Sequence, residues 1–197
     1  MDNKEIIEHL PDWVVREKGH YDWLRKEETC CLTGHRPSKL PWGYDEDCEA
    51  CKRFKKKLRE VFLNAIKYGL KNFLCGMAEG YDMLAAEVLI EIRKFKDIRL
   101  VAMVPCQNQA FKWSESQKKR YLQLLKECDD IFVLALGYSP ACMNNRNRQM
   151  VDLSSVCIAC FNQTPGGTRN TLLYAKRQGC KVKIINPDDY KKYIKNN

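Results

Sequence analysis

The stretch that decides the fold is Val156-Cys157-Ile158-Ala159-Cys160-Phe161, followed by the turn Pro165-Gly166-Gly167-Thr168 and the segment Thr168 to Gln178. Its first six residues form an unbroken apolar run of strand length. After the turn, Leu172, Leu173 and Ala175 recur at helical spacing, and Gly179 ends the segment. Strand, glycine turn and helix start together aim free backbone N–H groups at an anion. Glycine lets a ligand approach the backbone closely. Thr168 adds a capping hydroxyl that the same anion can use.

Outward from this unit the pattern repeats. Apolar runs at Thr29–Thr33, Asn72–Cys75, Ile98–Val104, Ile131–Leu136, Val156–Phe161 and Lys181–Ile185 predict strands. Helices are expected between them, over Asp45–Tyr68, Glu79–Lys94, Ser114–Glu127, Cys142–Leu153 and Thr168–Gln178. In Glu79–Lys94, Leu84, Val88 and Ile92 repeat every four residues, and Ala85 and Leu89 widen the stripe. The strand runs are continuous rather than alternating, as in a sheet covered on both faces. The prediction is an α/β chain: a Rossmann-like, open, doubly wound, mostly parallel sheet of about six strands with helices on both faces. Asn186-Pro187 after the last strand predicts a short terminal helix.

Residues 1–28 stand outside the alternation and read as an N-terminal helical extension to a domain spanning 29–197. Pro11-Asp12-Trp13 predicts its helix start. Trp13, Tyr21, Trp23 and Leu24 are its apolar anchors, expected to pack on the core or on a second subunit, which makes a homodimer one expectation.

The 197 residues suffice for one domain with a sizeable core. No apolar run approaches a membrane span, and the charged start Met1-Asp2-Asn3-Lys4-Glu5 does not open an apolar signal region, so a cytoplasmic location is expected. Eleven cysteines, an odd number set largely in apolar segments, fit reduced thiols better than a disulfide framework. Cys157 and Cys160 lie in a predicted strand, where positions three apart face opposite sides. Cys48 and Cys51 read as incidental to a helix, so no metal is expected. The net charge of +9 favours anionic partners, nucleic acid among them. The run Lys52-Arg53 with Lys55-Lys56-Lys57 nevertheless reads as a solvated helix face.

Ligands of open α/β sheets bind beyond the carboxyl ends of the strands. Three predicted strand ends carry glycine: Thr33-Gly34-His35-Arg36-Pro37, Gly76-Met77-Ala78-Glu79-Gly80-Tyr81-Asp82, and Pro165-Gly166-Gly167-Thr168. His35 and Arg36 can donate to phosphate, Arg36 in bidentate fashion. Glu79 and Asp82 fall in a first helical turn, where carboxylates are favoured for structural reasons. If they touch a ligand, a ribose hydroxyl suits them better than a phosphate. Arg146 is a further candidate phosphate contact, and Thr171 completes the expected site.

These motifs resemble a family. Thr33-Gly34-His35-Arg36-Pro37, Gly76-x-x-x-Gly80-x-Asp82 with Ala85-Ala86-Glu87, and Gly166-Gly167-Thr168-x-x-Thr171-x-x-Tyr174-Ala175 are similar to the YpsA-like branch of the SLOG superfamily, over about residues 29–185. The resemblance implies a Rossmann-like fold and ligands such as ADP-ribose or NAD, in a regulatory or sensing role with no required cofactor. It also invites comparison with the LOG-type nucleotide phosphoribohydrolases. Arg146 and Met150 match their pattern. The loop here continues Thr168-Arg169-Asn170-Thr171, without the second glycine-threonine step or the catalytic glutamate. An oxocarbenium-like state wants a carboxylate, and only Glu79 or Asp82 could supply one. Nucleotide binding is therefore the leading expectation, hydrolysis of a nucleoside monophosphate the second, and DNA binding the third.

Overall fold

The computed structural model describes residues 21–194. Its sheet has six strands, β1 (Thr29–Gly34), β2 (Asn72–Cys75), β3 (Arg99–Val104), β4 (Asp130–Val133), β5 (Val156–Cys160) and β6 (Lys181–Ile185), in the spatial order β4-β3-β2-β1-β5-β6. Every pairing is parallel. The chain enters mid-sheet at β1, steps outward to β4, then crosses back to lay β5 beside β1, with Cys31 opposite Cys157. That reversal makes the β1–β5 boundary a topological switch point, where the loops after the two strands diverge and leave a crevice.

Helices α1 (Glu49–Lys67), α2 (Tyr81–Arg93) and α3 (Glu115–Lys126) cover one face, and α4 (Cys142–Asp152) and α5 (Gly167–Arg177) the other. Right-handed crossovers require this split, because the stepping direction reverses at the switch point. The first face buries Phe54, Phe62, Leu84 and Tyr121 against Leu32 and Ile158. The second packs Met150, Val151, Leu172 and Ala175 on Cys31 and Cys157. Each such large side chain contributes roughly 1.5–3 kcal/mol through burial. Cys157 and Cys160 belong to the two opposite cores, as strand periodicity requires.

The strands and helices predicted between Thr29 and Ile185 all appear, with shifted ends. α1 begins at Glu49 rather than Asp45, because tertiary contacts hold the preceding segment in turns. Trp42 packs its ring 5.0 Å from that of Phe54, and Arg120 donates to both carboxylate oxygens of Glu46 at 2.9 and 2.8 Å. α2 begins at Tyr81, so Glu79 lies before the helix and not in its first turn. β4 stops at Val133, and Leu136, expected in the strand, is 77% exposed. After β6 the chain forms a 3-10 turn, Pro187–Tyr193.

Of the predicted extension, Tyr21, Trp23 and Leu24 pack on the α4–α5 side of the core, with the Tyr21 ring 4.6 Å from that of Phe132. Trp13 and the helix predicted from Pro11 lie outside the described residues. No described helix is long and apolar enough to cross a membrane.

Candidate functional site

At the carboxyl end of the sheet, over the switch point, lies a cleft of about 240 Å³. Its walls are the loop after β1, the start of α2, α4, and the glycine loop that begins α5. Gly34, His35, Arg36, Asp82, Arg146, Gly166, Gly167 and Thr168 all line it. Gly76, Glu79, Gly80 and Thr171, also expected at the site, do not, although the first and third shape it.

The glycine wall is built for close approach. Gly166, at φ +143, turns the chain into α5, and the first-turn N–H groups of that helix have no intrahelical partners. No side chain caps this end. Thr168 is buried, and Thr171 donates its hydroxyl back to the Gly167 carbonyl at 2.9 Å instead of facing the cleft.

Arg146 forms the floor. It is 4% exposed, and its Nη1 donates to the Met103 carbonyl at 3.2 Å. Its buried Nε has no hydrogen-bond partner. Gly76 makes room for this guanidinium: a Cβ there would fall 1.6 Å from Nη1. Burial pushes the Arg146 pKa down, opposed chiefly by the Asp82 carboxylate. Asp82 is buried too, and burial raises its pKa against the lowering influence of Arg146 and the Ala78 N–H, which donates to it at 3.2 Å. An orphaned polar nitrogen on a buried cation is costly to leave unmet.

His35 serves the loops more than the cleft. Its Nε2 accepts the Asn162 N–H at 3.1 Å, its carbonyl accepts the Tyr81 N–H at 3.1 Å, and its ring lies 5.5 Å from that of Phe161. It thereby ties the loops after β1 and β5 to the start of α2. The expected donation to phosphate is not the use the structure makes of Nε2. Burial lowers its pKa below the ordinary 6.5. Gly80, at φ +86, lets the α2 start sit against this strut, since a Cβ would lie 2.6 Å from the His35 carbonyl oxygen.

Arg36 stands half-buried at the rim, its guanidinium carbon 5.9 Å from the centre of the Trp113 ring. Glu79 is near enough for Arg36 to offset the burial that raises its pKa. Among the described residues, the two left-handed ones that are not glycine, Met77 and Gln163, both sit in loops of this end of the sheet. Such strain gathers at binding sites. Two lining residues carried no signal in the linear sequence: Lys39, whose Nζ donates to the Pro165 carbonyl at 2.5 Å, and Asn147, one residue beyond Arg146.

A larger concavity, about 1180 Å³, opens at the opposite end of the sheet between α1 and β5–β6. It contains no helix-start glycine loop, and the charged residues that line it, Lys26, Glu27, Lys57, Glu60, Lys181 and Lys183, are all exposed. The cleft over the switch point, with its convergent N–H groups and buried guanidinium, is the better candidate despite its size.

Fold and cleft together define a doubly wound α/β protein with a glycine-lined cleft at its topological switch point. The sequence model of the YspA SLOG family matches residues 30–190, and the chain belongs to that family. It is 32% identical over 152 residues to the uncharacterized SPbeta prophage-derived protein YoqJ of Bacillus subtilis, a match covering 69% of this chain and 89% of that protein. A UPF0398 protein of Bacillus cereus is 24% identical over 152 residues, 75% of this chain and 82% of the relative. Among solved structures, DNA processing protein A of Helicobacter pylori, described for its single-stranded DNA binding mode, superposes with a TM-score of 0.56 at 14% identity, over 87% of this chain and 74% of that one. DNA processing protein A of Streptococcus pneumoniae gives a TM-score of 0.57 at 16% identity, over 91% of this chain and 66% of that one. At these identities the two structures share the fold.

Proposed function

We propose that the switch-point cleft binds the phosphate of a nucleotide or nucleotide-derived ligand, of which ADP-ribose and NAD are examples, in a regulatory or sensing role. The observation that carries this reading is the buried Arg146 lining the same cleft as the uncapped glycine start of α5. A phosphate would accept from Arg146 and from the N–H groups of Gly167 and Thr168, with Arg36 closing from the rim. Each charge-assisted contact of this kind contributes about 1.5–3 kcal/mol. Asp82 is the carboxylate within the cleft that could meet a ribose hydroxyl.

The test is thermal unfolding with AMP, ADP-ribose and NAD. A ligand at a hundred times its Kd stabilises by about 2.7 kcal/mol. For a chain of this size that raises the midpoint by roughly 5–10 °C. Gly167→Asp would place a carboxylate where the anion sits, yet in a position that helix dipoles favour and where a Cβ meets nothing within 4 Å. The expected result is an intact fold with the ligand response reduced at least tenfold. A flat response across the three nucleotides would falsify the reading.

A second reading takes the ligand as the end of a single strand of DNA. It is supported by the shared fold with DNA processing protein A, described in Helicobacter pylori for single-stranded DNA binding, and by the net charge of +9. The lysine run on α1 does not support it. Lys55 bonds Glu87 at 3.1 Å and Lys57 bonds Glu60 at 3.0 Å, so both are already engaged.

A further inference from the structure

A narrow groove of about 180 Å³ runs down the outer surface between α4 and α5. It adjoins the cleft, with Asn147 lining both. Asn147 donates its side-chain amide to the Thr171 hydroxyl at 2.9 Å, and Thr171 donates to the Gly167 carbonyl at 2.9 Å. A hydrogen-bonded path thus leads from the groove to the glycine loop.

Beyond Asn147 the groove presents one aromatic ring flanked by two exposed cations. The guanidinium carbons of Arg148 and Arg177 lie 5.5 and 5.9 Å from the centre of the Tyr174 ring. The Tyr174 hydroxyl donates to Asp152 at 2.9 Å, which fixes the ring and engages that carboxylate. Asn144 and Asn170 add amide groups able both to donate and to accept. α5 carries Arg169, Lys176 and Arg177 and no acidic residue. At helical rise, the ten steps from Gly167 to Arg177 span about 15 Å.

We propose that this groove is a second nucleotide-binding surface, which receives the continuation of a single-stranded nucleic acid whose terminal phosphate occupies the cleft. The inference rests on the cleft reading, and extends it from a mononucleotide to a short oligonucleotide. Arginines that follow the backbone, together with an aromatic or guanidinium plane on which a base stacks, are the combination that holds single strands. The amides of Asn144, Asn147 and Asn170 suit unpaired base edges. A duplex hides those edges. The only large apolar side chain in the groove, Leu173, gives a protein partner little to bury.

The experiment compares thymidine 5′-monophosphate with 5′-phosphorylated oligothymidylates of increasing length, by calorimetry and fluorescence anisotropy at fixed salt. The proteins are wild type, Gly167→Asp and the double variant Arg148→Ala/Arg177→Ala. Affinity is expected to rise at least tenfold from the monophosphate to a short oligonucleotide. The double variant is expected to lose that gain, to bind the monophosphate as wild type does, and to lower the salt slope by about 1.4, for two single-strand phosphate contacts. Gly167→Asp is expected to weaken both ligands, and Tyr174→Ala the oligonucleotide alone.

If the monophosphate binds but length adds nothing, or the double variant keeps the full gain, the groove inference is overturned and the cleft reading stands. If neither monophosphate nor oligonucleotide binds, the groove inference is overturned, and the cleft reading is decided separately by the response to AMP, ADP-ribose and NAD. A duplex of the same sequence, or polyglutamate, bound as tightly as the single strand through Arg148 and Arg177 would overturn it as well, since the groove would then be a general anion patch.

Discussion

The two ends of the sheet differ in size, in charge and in the backbone groups they expose. The carboxyl end has a small cleft, about 240 Å³, with a buried cation, a buried carboxyl group and two left-handed residues that are not glycine. The amino end has a concavity of about 1180 Å³ lined by Val61, Ala65, Val156 and Ile158 and by exposed charged residues such as Lys57, Glu60, Lys181 and Lys183. In a parallel sheet every helix starts at the carboxyl end and finishes at the amino end, so the dipoles add in the same sense. Exposed N–H groups gather at one end and exposed carbonyls at the other. The chain answers the carbonyl end with basic last turns, Lys67 on α1, Arg93 on α2, and Lys176 and Arg177 on α5. At the other end α5 begins with glycines and no capping side chain, which leaves its donors for a ligand. By volume the amino end leads; by uncapped N–H groups and buried charge the carboxyl end does.

Glycine substitutions break the comparison most directly. Gly76→Val would drive a side chain into the space of the Arg146 guanidinium. Overpacking of this kind destabilises by about 3 kcal/mol, a drop of roughly 6–12 °C in Tm. Ligand response is expected to vanish with it, read by thermal unfolding with and without ADP-ribose. At the amino end, Gly179 closes α5 at φ +75, and a Cβ there meets nothing within 4 Å. Gly179→Ala should therefore show only the left-handed penalty, about 1–2 kcal/mol, with the ligand response retained. Equal loss of binding in the two variants would mean that the ends are not functionally distinct.

A smaller effect separates the ends by pH. His35 is held neutral by burial, with its pKa below 6.5. Between that lowered value and 6.5 the unfolded chain binds more protons than the folded one, so stability rises with pH across the window. It is lost as pH falls through 6.5. Chemical denaturation of wild type and His35→Leu from pH 7.5 to 5 should show a steeper acid loss in wild type. Parallel curves would remove His35 from the set of groups that couple the carboxyl-end loops to protonation.

Much of this architecture was legible in the residues. Strands covered on both faces must be continuously apolar, so runs such as Val156–Cys160 announced themselves, and the glycine loops marked their carboxyl ends. Boundaries shifted where distant contacts intervened. Glu46 was predicted inside α1, but Arg120, from α3, draws it out into a turn. His35 was read as a phosphate donor because a sequence does not show that Asn162, 127 residues away, occupies its Nε2. Arg146 was read as a candidate contact, while its depth and the space Gly76 clears for it were invisible.

Local spacing sets which segments become strands and helices, and the alternation of those segments sets a parallel sheet with its loops at one end. Both follow from short-range periodicity and from the hand of the crossover, so the amino-acid order alone determined them. What a polar side chain does depends on which distant segment meets it. Only the folded chain brings Arg148 to the ring of Tyr174 and buries the guanidinium of Arg146 beside Gly76, its Nε without a partner. Burial and hydrogen-bond partnering are properties of the assembled core, and they decided the site.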